Sequence, residues 1–182
     1  MIDQNTQHAF IQGDEHALEK IIHVYTSPLL RYCTAIMCNA EEAKDVVQET
    51  FIKAYEKRRL FKAKTSLNAW LYRIAYTTAI DTLRKHKRRE KLIPLVAQVE
   101  PNNSQSQSGI SEPLYSILIS LTVKERTLLF GRVLEERPYK ELALILNSSE
   151  SALRKSYQRL IRKLALEIQQ EEGHDFKLMR SE

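Results

Sequence analysis

Apolar residues recur every three or four positions from Asp14 through the first half of the chain, and again from Leu114 to Leu164. The one long stretch without this period runs from 92 to about 113, within which QVEPNNSQSQSGISEP is polar and contains no cation. A helical period on both sides of one such interruption points to two small all-α units joined by a flexible linker. Only 4 Gly and 5 Pro occur in 182 residues. Few chain reversals are therefore marked by turn residues, which argues against a sandwich or barrel. The expected divisions are 1–92, a linker at 93–113, a second unit at 114–170 and a polar tail at 171–182.

Within the first unit, apolar positions 17, 18, 21, 22 and 25 define one helix, and Ser27-Pro28 reads as the cap and first position of another ending near Cys38. Asn39 caps a third, with Glu41 and Glu42 in the first turn where the helix dipole favours acids. Its inward stripe is Ala43, Val47, Thr50/Phe51 and Ala54, which leaves Asp45, Gln48, Glu49 and Lys53 outward. Residues 58–66, RRLFKAKTS, read as a basic loop. A fourth helix starts near Ser66 with Leu67, Leu71, Ile74 and Ala75 inward, while Trp70, Arg73, Thr77, Asp81, Arg84 and Arg88 follow one another along another side. The second unit reads as helices at 114–120, 123–135, 138–146 and 149–168, after which the tail is expected to fray.

The formal net charge of +5 is unevenly placed. Residues 1–92 carry 16 Lys/Arg against 11 Asp/Glu, and residues 114–170 carry 10 against 6, whereas the linker and tail are net negative. Six of the eight residues at 84–91 are Lys or Arg. That run fits a solvated helix end complementing the dipole, or a phosphate-holding surface beside the aromatics Trp70, Tyr72 and Tyr76. A membrane-surface helix would need an apolar face beside the cations, and residues 84–91 have none.

The N-terminus MIDQNTQHAF lacks the basic start and apolar run of a signal peptide, and the longest apolar run is five residues, 142–146. A cytoplasmic protein without membrane insertion is expected. Cys33 and Cys38 read as small core residues, with no partner pattern for a disulfide or zinc. The five His are scattered and no Gly-rich phosphate loop occurs. Neither an enzyme nor a cofactor is expected.

The segment YKELALILNSSESALRKSYQRLIRKL has helix-turn-helix spacing: a short helix, a break at Asn147-Ser148 suited to a left-handed turn, and a helix capped by Ser149. Leu153, Tyr157, Leu160 and Leu164 are its packing side. Ser151, Arg154, Lys155, Gln158, Arg159 and Arg162 form the free face, with groups suited to base edges and phosphates. A plain αα-hairpin with a solvated cationic face has the same spacing. A free-standing helix-turn-helix regulator and a helical protein-interaction adaptor are the alternatives at this level.

EEAKDVVQETFIKAYEKRRLF followed by SLNAWLYRIAYTTAIDTLRK resembles region 2 of bacterial sigma factors, closest to the extracytoplasmic-function (group IV) type of the sigma-70 family. SLTVKERTLLFGRVLEERPYKELALILNSSESALRKSYQRLIRKL resembles region 4. The likeness runs from about residue 8 to 168 with the linker in the family's place. It implies an alternative sigma factor that binds core RNA polymerase and directs promoter-specific initiation through −10 and −35 recognition. By the same resemblance, Asp45, Gln48 and Glu49, with Lys53 beside them, would dock on the β′ clamp helices, and region 4 would meet the β flap. Lys62, Lys64, Thr65, Ser66 and Asn68 would lie in or next to the loop that captures a flipped −10 base, supported by Trp70, Arg73 and Thr77, with Arg84, Lys85, Arg88 and Arg89 on phosphates. Ser151, Arg154, Lys155, Gln158, Arg159 and Arg162 would face the −35 element. An anti-sigma factor, of a kind that can be membrane-anchored, is the further implied partner. The chain departs from the family at Thr77 (usually Asn), near Ala63 (usually Gly) and at Ser151-Ala152-Leu153-Arg154 (usually Gly-Thr-Val-Lys), changes that bear on which promoter is read.

Overall fold

The computed structural model describes residues 2–62, 66–92 and 112–178, with 90–92, 112–113 and 168–178 in backbone only. Lys64 and Thr65 of the expected capture loop, and most of the linker, lie outside the described residues. Among the described residues there are eight α-helices and no strand, so the all-α expectation holds.

Two helices begin at Asp side chains. Asp3 accepts from the Thr6 amide (2.8 Å) to start α1, Gln4–Gln12, and Asp14 accepts from the Ala17 amide (2.7 Å) to start α2, Glu15–Met37. Gly13 between them adopts φ 93°, the left-handed turn that glycine takes without a Cβ penalty. The reading of Ser27-Pro28 as a helix start is corrected: α2 passes through Pro28 without a break. The lost bond belongs to the Val24 carbonyl, on the exposed side of the helix where water can serve it. Ile21, Leu29, Tyr32, Cys33 and Ile36 meanwhile keep one buried face continuous across the proline. Packing outweighs the local signal.

Asn39 caps α3, Ala40–Glu56, accepting from the amides of Glu41 (3.0 Å) and Glu42 (3.1 Å), as its sequence predicts. A 3₁₀ turn at Arg58–Leu60 opens the basic segment. The Ser66 hydroxyl accepts from the Ala69 amide (3.2 Å) at the start of α4, Leu67–Leu92. In the C-terminal half, α5 is Glu112–Ser120 and α6 is Val123–Val133, the latter opened by a reciprocal capping box of Thr122 and Glu125. Then come α7, Tyr139–Leu146, and α8, Glu150–Leu178. The tail expected to fray after Gln170 instead continues α8 to Leu178.

The two halves do not sit apart. The main buried cluster runs from Phe10, Ile21, Leu29 and Tyr32 in the N-terminal half to Leu128, Phe130, Leu142, Ile145 and Leu153 in the C-terminal half. α4 packs on α7 and α2 packs on α6. Tyr32 lies 4.7 Å from Tyr72 and 5.7 Å from Phe130, ring centre to ring centre, so an aromatic stack crosses the boundary. Leu121, Leu160 and Leu164 form a smaller second cluster under α8.

Candidate nucleic-acid interface

The predicted faces can be followed helix by helix. On α3, Ala43, Val46, Val47, Thr50, Phe51 and Ala54 are buried, and Asp45, Gln48 and Glu49 are exposed together on the other side. Lys53 is placed differently from those three. It is half-buried and its ammonium reaches Glu49 Oε1 (3.3 Å) and the Thr78 hydroxyl (3.3 Å), tying α3 to α4 and steadying the Glu49 carboxylate.

α4 carries the largest predicted set. Trp70 is half-buried between Phe10 (6.4 Å, edge-on) and Phe61 (5.2 Å). Its ring is thus a strut that holds the basic segment and α1 against the helix. Arg73 is exposed and its guanidinium donates to the Leu144 carbonyl (3.4 Å) of α7. Thr77 is exposed but its hydroxyl donates back to the Ile74 (2.9 Å) and Arg73 (3.1 Å) carbonyls of its own helix. Asn68 is half-buried and its side-chain oxygen accepts from Arg137 (2.9 Å). Lys62 and Ser66 are exposed at the edge of the loop. Further along, Arg84, Lys85, Arg88 and Arg89 are all exposed, with Arg84 beside Asp81 (3.7 Å). Such a surface pair is weak and does not withdraw the cation from a phosphate.

The helix-turn-helix is built as the spacing predicts. Asn147 ends α7 at φ 48°, and the Ser149 hydroxyl accepts from the Ala152 amide (3.2 Å) to open α8. Leu153, Leu160 and Leu164 are buried. Ser151, Arg154, Lys155, Gln158, Arg159 and Arg162 are all exposed. Arg154 is the most organised of them. It lies 4.7 Å over the Tyr139 ring and 3.7 Å from Glu150, while Arg132 covers the same ring, also at 4.7 Å. Behind the motif, α6 approaches α7 most closely at Gly131, where a Cβ would meet Leu142 Cδ2 at 2.6 Å. No sequence spacing flagged that glycine.

The residue that sequence reading missed is Arg137. The chain turns at Glu136, held at φ 50°, and the Arg137 amide bonds the Gly131 carbonyl (2.8 Å), which aims the side chain back between the two halves. Only 7% of it is exposed. It pairs with Glu135 (2.5 Å) and Glu141 and lies 3.7 Å over the Tyr72 ring. Burial opposes its charge, but the bond to Glu135 and the neighbouring negative groups raise its pKa overall. The Tyr72 hydroxyl donates to Glu135 (2.7 Å), and burial first, then this bond, pushes the phenol up well above the usual range. A lone Arg in the phrase EERPYKE carries no period that could announce such a role.

Three exposed faces are thus presented on one molecule: an acidic one on α3, a basic end on α4 and a basic face on α8. Residues 21–89 match the family Sigma-70 region 2. The chain is 29% identical over 150 residues to the ECF RNA polymerase sigma factor SigW of Bacillus subtilis, which covers 75% of this chain and 80% of that protein. It is 30% identical over 146 residues to the ECF RNA polymerase sigma-E factor of Salmonella typhimurium, 76% of this chain and 73% of that protein. The fold is similar to that of the sigma factor RpoE from Bartonella quintana, solved in complex with the anti-sigma factor NepR, at a TM-score of 0.66 and 20% identity over 80% of this chain and 92% of that one. The chain belongs to the extracytoplasmic-function RNA polymerase sigma factors, alternative sigma factors of the sigma-70 family.

Proposed function

We propose that this sigma factor recruits core RNA polymerase through α3 and delivers it to a promoter read at two separate elements, acting in the cytoplasm and performing no chemistry of its own. Residues 1–92 act as region 2 and residues 114–170 as region 4, with 93–113 as the tether and 171–182 as an appendage. The observation that carries the reading is the segregation of exposed charge: Asp45, Gln48 and Glu49 on one helix, and Arg154, Lys155, Gln158, Arg159 and Arg162 on another.

In this reading the acidic and amide groups of α3 meet the clamp helices of the β′ subunit. Glu49 is held at a defined angle by Lys53, so less rotamer freedom is lost on docking. The free face of α8 enters the major groove of the −35 element, with Arg and Gln suited to guanine and adenine edges. Unstacked −10 bases are taken up beside the start of α4. Their capture offsets the cost of unpairing, a few kcal/mol or so per base, and the cations at 84–89 add affinity that falls with salt.

An anti-sigma factor is the second partner of this reading. A groove of about 640 Å³ between α2, α5 and α6 is lined by Leu30, Ala35, Leu114, Leu118, Phe130 and Leu134. Both halves contribute to it, so an apolar helix seated there would hold them together. The reading is tested by run-off transcription with purified core polymerase on the promoter of the protein's own gene. A specific transcript that depends on the protein is expected. Absence of both polymerase capture and transcript would remove the initiation reading.

A further inference from the structure

The free face of α8 is exposed, but one of its side chains is held in a frame built by the rest of the helix-turn-helix. The frame begins at the turn before α7. Pro138, at φ −66° and ψ 149°, fixes the direction in which the chain enters α7, and Tyr139 is the first residue of that helix. Its half-buried ring meets Tyr157 of α8 edge-on, with 6.3 Å between centres. Arg132, in the last turn of α6, lies 4.7 Å over the same ring and donates to the Arg137 carbonyl (2.5 Å). The ring is thus tied to α6, to the turn and to α8 at once.

Arg154 joins this frame from the reading face. Its guanidinium lies 4.7 Å over the Tyr139 ring, and Glu150, one turn earlier on α8, stands 3.7 Å from its Nη2 atom. Both members of that ion pair are exposed, so it holds little by itself. The ring adds a flat surface on which a planar guanidinium rests, a match that a point-charge ammonium lacks. An Arg that already rests on a fixed ring loses less rotamer freedom when it grips a base. Its N–H fork is also confined to fewer directions, and two parallel donors in a set direction suit the O6 and N7 acceptors of guanine.

We propose that Tyr139 is a positioning residue of the −35 reading face: it sets the angle of the Arg154 fork and so makes Arg154 select a guanine rather than hold any phosphate. The proposal rests on the reading of α8 as the −35 helix. Tyr139 acts through Arg154, so removing the ring leaves the charge of α8 unchanged and alters which base is preferred at one position.

The test uses the full chain with purified core polymerase and the promoter of the protein's own gene, in templates that change each upstream base pair singly to the other three. Run-off transcript from each template gives the discrimination at each position. Arg154→Ala should lower discrimination about tenfold at one guanine-bearing base pair, the scale of one bidentate base contact. Tyr139→Leu keeps an apolar side chain beside Tyr157 and should lower discrimination at that same base pair by about two- to fivefold, the scale of one exposed cation–π contact. Tyr139→Phe restores the ring and should restore the wild-type preference. Arg154→Lys keeps the charge at an exposed position and should also lose discrimination there, which keeps the proposal open to refutation if Tyr139→Leu folds poorly. A fall in transcript that is equal on every template for Tyr139→Leu would overturn the proposal, because a merely structural ring favours no position. An unchanged preference in Arg154→Lys would overturn it too. Either result leaves the −35 reading intact as long as Arg154→Ala still flattens one position. If Arg154→Ala flattens none, the residue reads no base and the proposal falls alone. If no upstream change alters the wild-type transcript, the −35 reading falls with it.

Discussion

α4 and α8 are both long and carry cations proposed to meet DNA, but they are presented in opposite ways. Every predicted reading residue of α8 is exposed, and the most organised of them, Arg154, is ordered by neighbours from its own half. On α4, Asn68 and Arg73 are engaged by the other half of the molecule, and Trp70 and Thr77 are spent on local structure. The difference teaches that duplex reading needs only a rigid helix with a free face. Capture of an unpaired base needs a concave pocket.

The largest expected effect strikes the open side of this comparison. Changing Arg154, Lys155, Gln158 and Arg159 together to Ala should lower affinity for a duplex carrying the −35 element by roughly 10²–10³-fold, since each well-placed base contact is worth about 1–3 kcal/mol. Polymerase capture should be unaffected. A loss of less than threefold, measured by fluorescence anisotropy, would show that α8 is not the reading helix.

A smaller loss is expected at the end of α4. Neutralising Arg84, Lys85, Arg88 and Arg89 should reduce the slope of log affinity against log salt by about 3, at roughly 0.7–0.9 per phosphate contact. Capture through Asp45, Gln48 and Glu49 should persist. If capture falls in parallel, those cations serve the polymerase rather than DNA.

Stability of the packed side offers a third test. Gly131→Ala would press a methyl against Leu142 and push α6 from α7. Overpacking of this kind costs typically 1–3 kcal/mol, offset by up to about 1 kcal/mol from the better helix propensity of Ala. A net loss of about 1–2 kcal/mol should appear in denaturant unfolding. A gain in stability would mean that the α6–α7 contact has room to give.

The two sides also differ in how much of them the sequence makes legible. The α3 and α8 faces follow from period alone: Asp45, Gln48 and Glu49 lie opposite a buried stripe, and Ser149 and Asn147 mark the turn with local chemistry. Helix starts at Asn39 and Ser66 were readable for the same reason, because a cap bonds within three residues. Pro28 misled because its effect depends on whether the Val24 carbonyl meets water, which is a tertiary fact. The tail after Gln170 misled because α8 runs on through Gly173 to Leu178 although its polar residues show no apolar period. Arg137, Gly131 and the union of the two halves were hidden, since each acts over more than sixty positions or through a single close contact. Short-range periodicity has no term for that.

The smallest effect concerns the two cysteines, which report the two sides separately. Both are buried in the free thiol form, and burial pushes both thiols up, Cys33 to about 12. Cys33 lies on the face of α2 that continues Ile21 and Leu29, inside the N-terminal half itself. Cys38 is at the end of α2, near Arg126 of the other half, which partly counters the effect of burial on it. Since the thiolate is the reactive form, both should react slowly with a maleimide at pH 7.5, and faster as the pH rises. If the halves part without unfolding, Cys38 becomes accessible in the parted state and Cys33 only on global unfolding. Cys38 should then label several-fold faster than Cys33 in wild type, and the ratio should widen in Arg126→Gln. Mass spectrometry of the peptides reads it directly. Equal rates that rise together with denaturant would mean that the boundary opens only when the whole protein does.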